Sequence, residues 1–146
     1  MTNVTIGNSV TNIGNHAFYY CSSLMSVTIP DSMKRIETST FKNCSALTSV
    51  TIPDSVTSIE NEAFFECYGL TSVTIPDSVT SIGSSAFEIC SSLTNVEFEG
   101  NAPTVGFFAF KGVSALPECK AVITSTATGF PAAGEIWNGL VVVVKS

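Results

Sequence analysis

SVTIPDSVTSIENEAFFECYGLT, residues 49–71, is one copy of a unit that recurs every 23 residues along the chain. The second position of the unit is a valine in five successive copies: Val4, Val27, Val50, Val73 and Val96. A fixed period of about 20 to 30 residues is typical of a solenoid, in which each unit packs only on its neighbours. The sequence therefore predicts one repeat domain.

The first half of the unit predicts a short strand. Val50 and Ile52 alternate with polar residues, the period of two expected when one face of a strand is buried. Pro53 lacks the N–H group that a longer ladder needs, and Asp54 and Ser55 favour a turn. Stacked copies are therefore expected to form a parallel sheet.

The second half of the unit predicts a turn or a second brief strand at Val56 and Ile59, and then a helical turn. Phe64 and Cys67 are three residues apart, so on a helical turn they would point to the same side. A leucine closes each unit. The phenylalanine column comprises Phe18, Phe41, Phe64, Phe87 and Phe110, and the leucine column comprises Leu24, Leu47, Leu70, Leu93 and Leu116.

The pattern changes near the C-terminus. The fifth unit lacks the Pro-Asp turn, and the 23-residue register is lost beyond Cys119. Two β-rich stretches, AVIT and LVVVV, follow on either side of a segment rich in glycine, proline and alanine. Because a solenoid needs atypical terminal repeats, we expect residues 1–118 to form five repeats and residues 119–146 a β-rich cap within the same domain.

The composition excludes several classes of function. Of the 146 residues, 12% are charged and the net charge is −6, which disfavours nucleic-acid binding and docking on anionic membranes. No apolar stretch reaches the length of about 18 residues that spans a bilayer. No signal peptide is visible, so we expect either an intracellular protein or, preferably, a fragment without its leader. An uncapped first coil would also permit end-to-end self-association.

The unit L-x-x-V-x-I-P-x-S-V-x-x-I-x-x-x-A-F-x-x-C-x-x-L resembles the BspA-like, or Treponema pallidum-type, leucine-rich repeats from residue 4 to about residue 118. The stretch NAPTVGFFAFKG and the ending at residues 137–140 are similar to the C-terminal cap of such proteins. The resemblance implies an α/β right-handed solenoid, with a short parallel sheet on the concave face and short helical turns on the convex side. It also implies a secreted or cell-surface bacterial or protist protein that adheres to host matrix or cell-surface proteins.

Two surfaces are candidates for partner binding. Outward strand positions carry the polar row Thr28, Thr51, Thr74 and Glu97. This row could bind an extended peptide or a glycan, or could simply be a solvated β surface. Tyr19, Tyr20, Phe65 and Tyr68 occupy columns where other repeats carry polar residues, and they predict an aromatic patch for a protein partner. Phe107 and Phe108 either extend this patch or pack under the cap.

The repeated cysteines and aspartates have structural explanations. Cys21, Cys44, Cys67 and Cys90 form a line, whereas zinc needs ligands that converge tetrahedrally. Parallel side chains also orient sulfurs poorly for disulfides, so we expect a reduced core column. Asp31, Asp54 and Asp77 could hold Ca²⁺ but are better explained as turn residues. No metal or cofactor is predicted.

Catalytic motifs are absent from the sequence. His16 is the single histidine, no nucleophile motif or phosphate loop is present, and Glu60, Glu62 and Glu66 lie on a polar edge. We therefore expect a non-enzymatic protein-binding module. A structural spacer or self-assembling array is the main alternative, and a carbohydrate-binding surface is a weaker one.

Overall fold

A computed structural model describes residues 2–115 and 118–146 as a parallel β-solenoid of about six turns. Its strands are β1 Asn3–Thr5, β2 Ser26–Thr28, β3 Arg35–Ile36, β4 Ser49–Thr51, β5 Ser58–Ile59, β6 Ser72–Ile75, β7 Ser81–Ile82, β8 Asn95–Phe98, β9 Thr104–Val105, β10 Lys120–Ile123, β11 Ile136–Trp137 and β12 Leu140–Val144. Successive coils stack along one axis, and the four coils that begin with β2, β4, β6 and β8 each contribute one strand to each of two faces.

The first face is formed by the strands that begin each coil. β1, β2 and β4 pair in parallel, β6 lies beside β4, and the order continues β6-β8-β10-β12-β11. Equivalent positions face each other one repeat apart, as in the pairing of Val27 with Val50. Val27 and Ile29 are buried while Thr28 is exposed, which confirms the predicted inward face. We call the outward side of β2, β4, β6 and β8 the strand face.

The second face consists of β3, β5, β7 and β9, which pair in parallel and are two residues long. The sequence allowed a turn or a brief strand at Val56 and Ile59, and both form: the Val56 amide closes a turn on the Pro53 carbonyl, and Ile59 lies in the strand β5. The buried Ile59 pairs with Ile82 of the next coil. The core therefore lies between two parallel ladders.

The predicted helical turns were wrong: within residues 2–115 and 118–146 no helix forms, so the fold is a β-solenoid rather than an α/β repeat. The segment around Phe41 consists of successive turns, in which alternate N–H groups donate to the next coil. The Phe41 amide, for example, donates to the Ala63 carbonyl at 2.9 Å. Ser39 and Asn43 have φ angles of +55° and +62°, which an α-helix does not tolerate. We call this segment, residues 38–43 and its equivalents, the turn edge.

The core is built from columns of identical side chains. The rings of Phe18, Phe41, Phe64, Phe87 and Phe110 stack with centroids 5.1 to 5.4 Å apart. The leucine column is buried from Leu24 to Leu93, and Leu116 lies outside the described residues. Because the rings of Phe41, Phe64 and Phe87 each pack between two other phenylalanines, the interior has no local substitute for any of these three.

The C-terminal strands continue the first face. β10 pairs in parallel with β8, and β12 pairs in parallel with β10, while β11 turns back against β12. Phe98 contacts the rings of Phe130 and Trp137, with centroids 5.2 and 5.3 Å away. These strands have no equivalent of the turn edge. The division of the chain at residue 118 stays a prediction.

Candidate functional site

Four aromatic residues form what we call the tyrosine patch: Tyr19, Tyr20 and Phe65 of the turn edge, and Tyr68, which lies two residues beyond it. The exposed fractions of the three tyrosines are 46%, 65% and 40%, and Phe65 is half-buried. Backbone bonds between coils fix this surface, since the Tyr20 amide donates to the Lys42 carbonyl at 2.9 Å. The patch therefore extends over three coils.

The rings of the patch are held by edge contacts and by a cation. Tyr19 packs edge-on against Tyr20 at 5.4 Å and against His16 at 5.8 Å between ring centroids. The Lys42 ammonium lies 4.6 Å from the centroid of Phe65. A cation over a ring face and edge-on aromatic pairs are both favourable arrangements. The patch thus combines apolar area with positive charge.

A hydrogen bond joins the second and third coils beside the patch. The Asn43 amide nitrogen donates to the Glu66 carboxylate. The pKa of Tyr68 is raised by partial desolvation, then by the Glu66 carboxylate and by Tyr20. These interactions place Tyr20, Glu66 and Tyr68 close together at the surface. The site offers both hydrogen-bonding groups and ring surface to a partner.

An ion pair borders the patch and gives a pH-dependent prediction. The Lys42 ammonium lies 2.7 Å from Glu62, and its hydrogen bond to the carboxylate lowers the pKa of Glu62 below the ordinary 4.5. Because the folded-state pKa is the lower one, the pair stabilises the fold above about pH 4.5, and this contribution is lost as pH falls through the folded pKa.

Lys42→Met is therefore expected to raise the pKa of Glu62 towards its ordinary value, which ¹³C NMR of the carboxyl group would measure. The loss of stability should stay below about 1 kcal/mol because the pair is partly exposed. Lys34→Met, which leaves this pair intact, is the matched control. An unchanged Glu62 titration in Lys42→Met would show that the lysine does not set the pKa.

The strand face carries the second set of sequence candidates. Thr28, Thr51 and Thr74 line one open groove with a volume of about 530 Å³. Glu97 follows Thr74 in the same row, but its carboxylate accepts a hydrogen bond from the Lys145 ammonium. The residues of the tyrosine patch do not line this groove, so the structure separates the two sets of candidates.

The structure adds residues that the sequence analysis did not connect. Asp31 and Asp54 line the strand-face groove, together with Glu99. Lys42 is one of the polar residues in the column of Tyr19 and Phe65, and it contacts Phe65. The sequence does contain a signal for this contact: Lys42 lies one repeat before Phe65 in the same column, and equivalent positions of neighbouring coils lie side by side.

Phe107 and Phe108 are exposed, by 83% and 61%, so they do not pack under the C-terminal strands. Phe107 belongs to the column of Ser84, and Phe108 to the column of Ser85. The Lys111 ammonium lies 4.7 Å from the centroid of Phe108. These rings are two coils away from Phe65 and Tyr68 along the solenoid, at the opposite end of the turn edge from Tyr19.

The cysteines form a buried column, as the sequence predicted for Cys44, Cys67 and Cys90, while Cys21 is half-buried. Each buried thiol of this column donates to a backbone carbonyl, as from Cys67 to Phe41 at 3.2 Å. Burial raises the pKa of Cys44 and Cys90 to about 12 and that of Cys119 to about 11. These thiols are therefore not nucleophiles at neutral pH.

Native labelling with a thiol reagent is accordingly expected to modify Cys21 and to spare Cys44, Cys67, Cys90 and Cys119. Unfolding should expose all five cysteines to the reagent. Peptide mass spectrometry after brief labelling would locate the modified residues. Rapid modification of Cys67 in the native protein would contradict the packing described here.

Two classes of site receive no support from the described part of the chain. Residues 2–115 and 118–146 contain no group of three or more histidine, cysteine, aspartate or glutamate side chains that could hold a metal ion. No helix in these two ranges has the length and apolar character to cross a membrane.

Comparison with known proteins finds a leucine-rich repeat family model and several leucine-rich repeat structures. A family model described as BspA type leucine rich repeat region matches residues 1–117 in six copies. The Treponema pallidum leucine rich repeat protein is similar in structure, with a TM-score of 0.69, 27% identity and 84% of this chain covered. A leucine-rich repeat protein from Bacteroides ovatus is 35% identical over 84% of this chain, with a TM-score of 0.68.

A leucine rich cell surface protein from Faecalibacterium prausnitzii is 35% identical over 90% of this chain, with a TM-score of 0.61. The chain spans 57%, 33% and 41% of the lengths of these three proteins, in the order given. No curated protein matches the sequence.

Proposed function

This chain belongs to the BspA-type leucine-rich repeat family, and from that premise we propose that it is a non-enzymatic protein-binding module. Leucine-rich repeat proteins are commonly protein-interaction modules. The repeats supply a rigid ladder, on which side chains at variable positions are held at fixed spacing. Specific recognition then depends on the positions where one coil differs from the next.

The tyrosine patch is the observation that carries this proposal. Tyrosine is enriched in protein interfaces because its ring buries a large area while its hydroxyl stays hydrogen-bonded. Tyr20 and Tyr68 are exposed, the Lys42 ammonium lies over the Phe65 ring, and the Glu66 carboxylate accepts a hydrogen bond from Asn43. This mixture of rings and opposite charges is the pattern expected of a hot spot with a polar surround.

We place this binding at a cell surface or in the secreted space, with a host matrix or cell-surface protein as the partner. The support is the relationship to a leucine rich cell surface protein of Faecalibacterium prausnitzii. A surface protein of this family would present the turn edge to proteins in the surrounding medium.

A self-assembling array is the second candidate, and the first coil favours it. Val4, Ile6, Ile13 and Phe18 continue the core columns but are only partly buried. A second molecule could cover these side chains. Carbohydrate binding has weaker support, because the described residues lining the groove at Thr51 include no aromatic ring on which a sugar could stack.

The test is a solid-phase binding screen of the purified protein against matrix and plasma proteins, with a glycan panel alongside. The variants Tyr19→Ser/Tyr20→Ser and Phe65→Ser/Tyr68→Ser are run in parallel, with circular dichroism to verify that they fold. Saturable binding to a protein that is lost in these variants supports the proposal. Binding to glycans alone, or to nothing, would overturn it.

A further inference from the structure

The turn edge has a direction, because the N–H groups that form its inter-coil hydrogen bonds all point towards the C-terminal end of the solenoid. In the fourth coil the amides of Ser85, Phe87 and Ile89 donate to carbonyls of the fifth coil at 2.7 to 2.9 Å. The acceptors are the carbonyls of Phe107, Ala109 and Lys111. The same relation holds between earlier coils, one repeat apart. Each coil therefore needs a following coil to satisfy three of its N–H groups.

The fifth coil has no such successor. The equivalent N–H groups belong to Phe108, Phe110 and Gly112, and they have no hydrogen-bond partner among residues 2–115 and 118–146. The reason is that β10 and β12 extend the first face without repeating the turn edge. A row of three backbone donors is thus left open at this end of the molecule.

A cavity of about 320 Å³ adjoins this row. It is lined by Phe108, Phe110 and Lys111 on one side and by Asn138 and Gly139 of the C-terminal segment on the other. Lys111 is the one charged residue among its described lining residues. The lysine side chain is 63% exposed, and its ammonium is 3.9 Å from Glu88, so it remains accessible to a second anion.

The three open N–H groups lie on alternate residues, and Phe108 and Gly112 have φ angles of +60° and +72°. In the preceding coil the equivalent N–H groups donate to three separate carbonyls, which are also on alternate residues. The row therefore matches the carbonyls of an extended chain, and Lys111 adds a cation beside it. The Phe108 ring lines the cavity, and its neighbour Phe107 is 83% exposed.

We propose that this open donor row binds the C-terminal carboxylate of a peptide chain. The carboxylate accepts hydrogen bonds from Lys111 and from one free amide, and the preceding backbone carbonyls of the peptide accept from the other free amides. The last side chain of the peptide packs against Phe108. Capture of a chain terminus by backbone amides is a known mode of peptide recognition. The inference rests on protein binding as the proposed function and assigns to it a second surface, distinct from the tyrosine patch.

A second copy of the chain is the competing occupant. Among residues 2–115 and 118–146, no backbone N–H group donates to the carbonyls of Asn15, Ala17 and Tyr19 in the first coil, so these carbonyls are complementary to the open donors. However, β10 and β12 extend the first face beyond the fifth coil. A first coil that stacked on the donor row would have to pass these strands, which favours the narrower peptide chain.

The test is an NMR titration of the ¹⁵N-labelled protein with acetyl-Gly-Gly-Phe carrying a free carboxylate. The amide resonances of Phe108, Phe110 and Gly112 are expected to shift saturably. The same peptide with a C-terminal amide should leave them unchanged. Lys111→Met is expected to weaken binding roughly tenfold, because it removes a charged hydrogen-bond donor. Lys120→Met, an exposed lysine on β10, is the matched control and should bind like the wild type.

Several results would overturn the inference. These are no shift at the three amides, equal shifts with the amidated peptide, or saturation by sodium acetate at the same concentration as by the peptide. Shifts of the three amides on dilution of the protein alone would assign the row to a second copy. Phe65→Ser/Tyr68→Ser should leave the titration unchanged. The experiment therefore tests carboxylate binding at the donor row independently of protein binding at the tyrosine patch.

Discussion

Phe64→Ala is expected to lower the free energy of unfolding by about 3–5 kcal/mol. Phe64 is fully buried in the third coil, and its ring stacks between Phe41 and Phe87 with centroids 5.4 and 5.1 Å away. Truncation removes ring contacts on both sides and leaves a cavity that the two ladders cannot close without breaking inter-coil bonds. Urea unfolding followed by far-ultraviolet circular dichroism would measure the change.

Phe107→Ala supplies the control for this prediction, because the same substitution at an 83% exposed ring removes little buried area. It should change the free energy of unfolding by less than about 0.5 kcal/mol. If Phe64→Ala lowered the free energy of unfolding by less than about 1 kcal/mol, the continuous stack would be contradicted. Full burial of a phenylalanine ring stabilises a fold by more than that.

Phe98→Ala is expected to uncouple the C-terminal strands from the repeats, at a cost of about 3–5 kcal/mol. Phe98 is 1% exposed and contacts both Phe130 and Trp137. Trp137 is the single tryptophan of the chain, so its fluorescence reports on this end of the molecule alone. In the variant, the midpoint of the fluorescence transition should lie at a lower urea concentration than the midpoint of the transition seen by circular dichroism.

The wild type should show coincident transitions by the two probes, because neighbouring coils of a short solenoid unfold together. Ile136→Ala is a suitable control, since this neighbour of Trp137 is 62% exposed. Coincident transitions in Phe98→Ala would mean that backbone pairing of β8 with β10, rather than the aromatic cluster, couples the end to the repeats.

The first face of the solenoid could be predicted because its signal is local. Val50 and Ile52 alternate with polar residues, and Pro53 follows the strand at once, so three adjacent positions define strand, buried face and end. The repeat then fixes the parallel register, since Val50 can only lie beside Val27 and Val73 if every coil has the same length.

The turn edge could not be predicted in the same way, because its hydrogen bonds join residues 22 positions apart, as from Phe41 to Ala63. The spacing of Phe64 and Cys67 fits a helical turn and this turn structure equally well. One signal was present: Gly112 occupies the column of Asn43 and Glu66, where φ is positive in every coil. Glycine there indicates a left-handed backbone.

The aromatic residues of the site were recognisable because they break the repeat, but their surroundings were not. The contact of Lys42 with Phe65 depends on the stacking of neighbouring coils. The open donors at Phe110 depend on where the C-terminal strands stop covering the fifth coil. The C-terminal segment packs through contacts such as that of Phe98 with Trp137, which no spacing in the sequence defines.

Protein binding through the tyrosine patch is tested most directly by comparing two variants on the strongest ligand from the binding screen. One variant, Tyr20→Ser/Tyr68→Ser, alters the patch, and the other, Thr51→Ala/Thr74→Ala, alters the strand face. We predict that the patch variant binds at least about tenfold more weakly, as the loss of hot-spot tyrosines requires, while the strand-face variant binds like the wild type. Full binding by the patch variant, or a loss confined to the strand-face variant, would contradict the account.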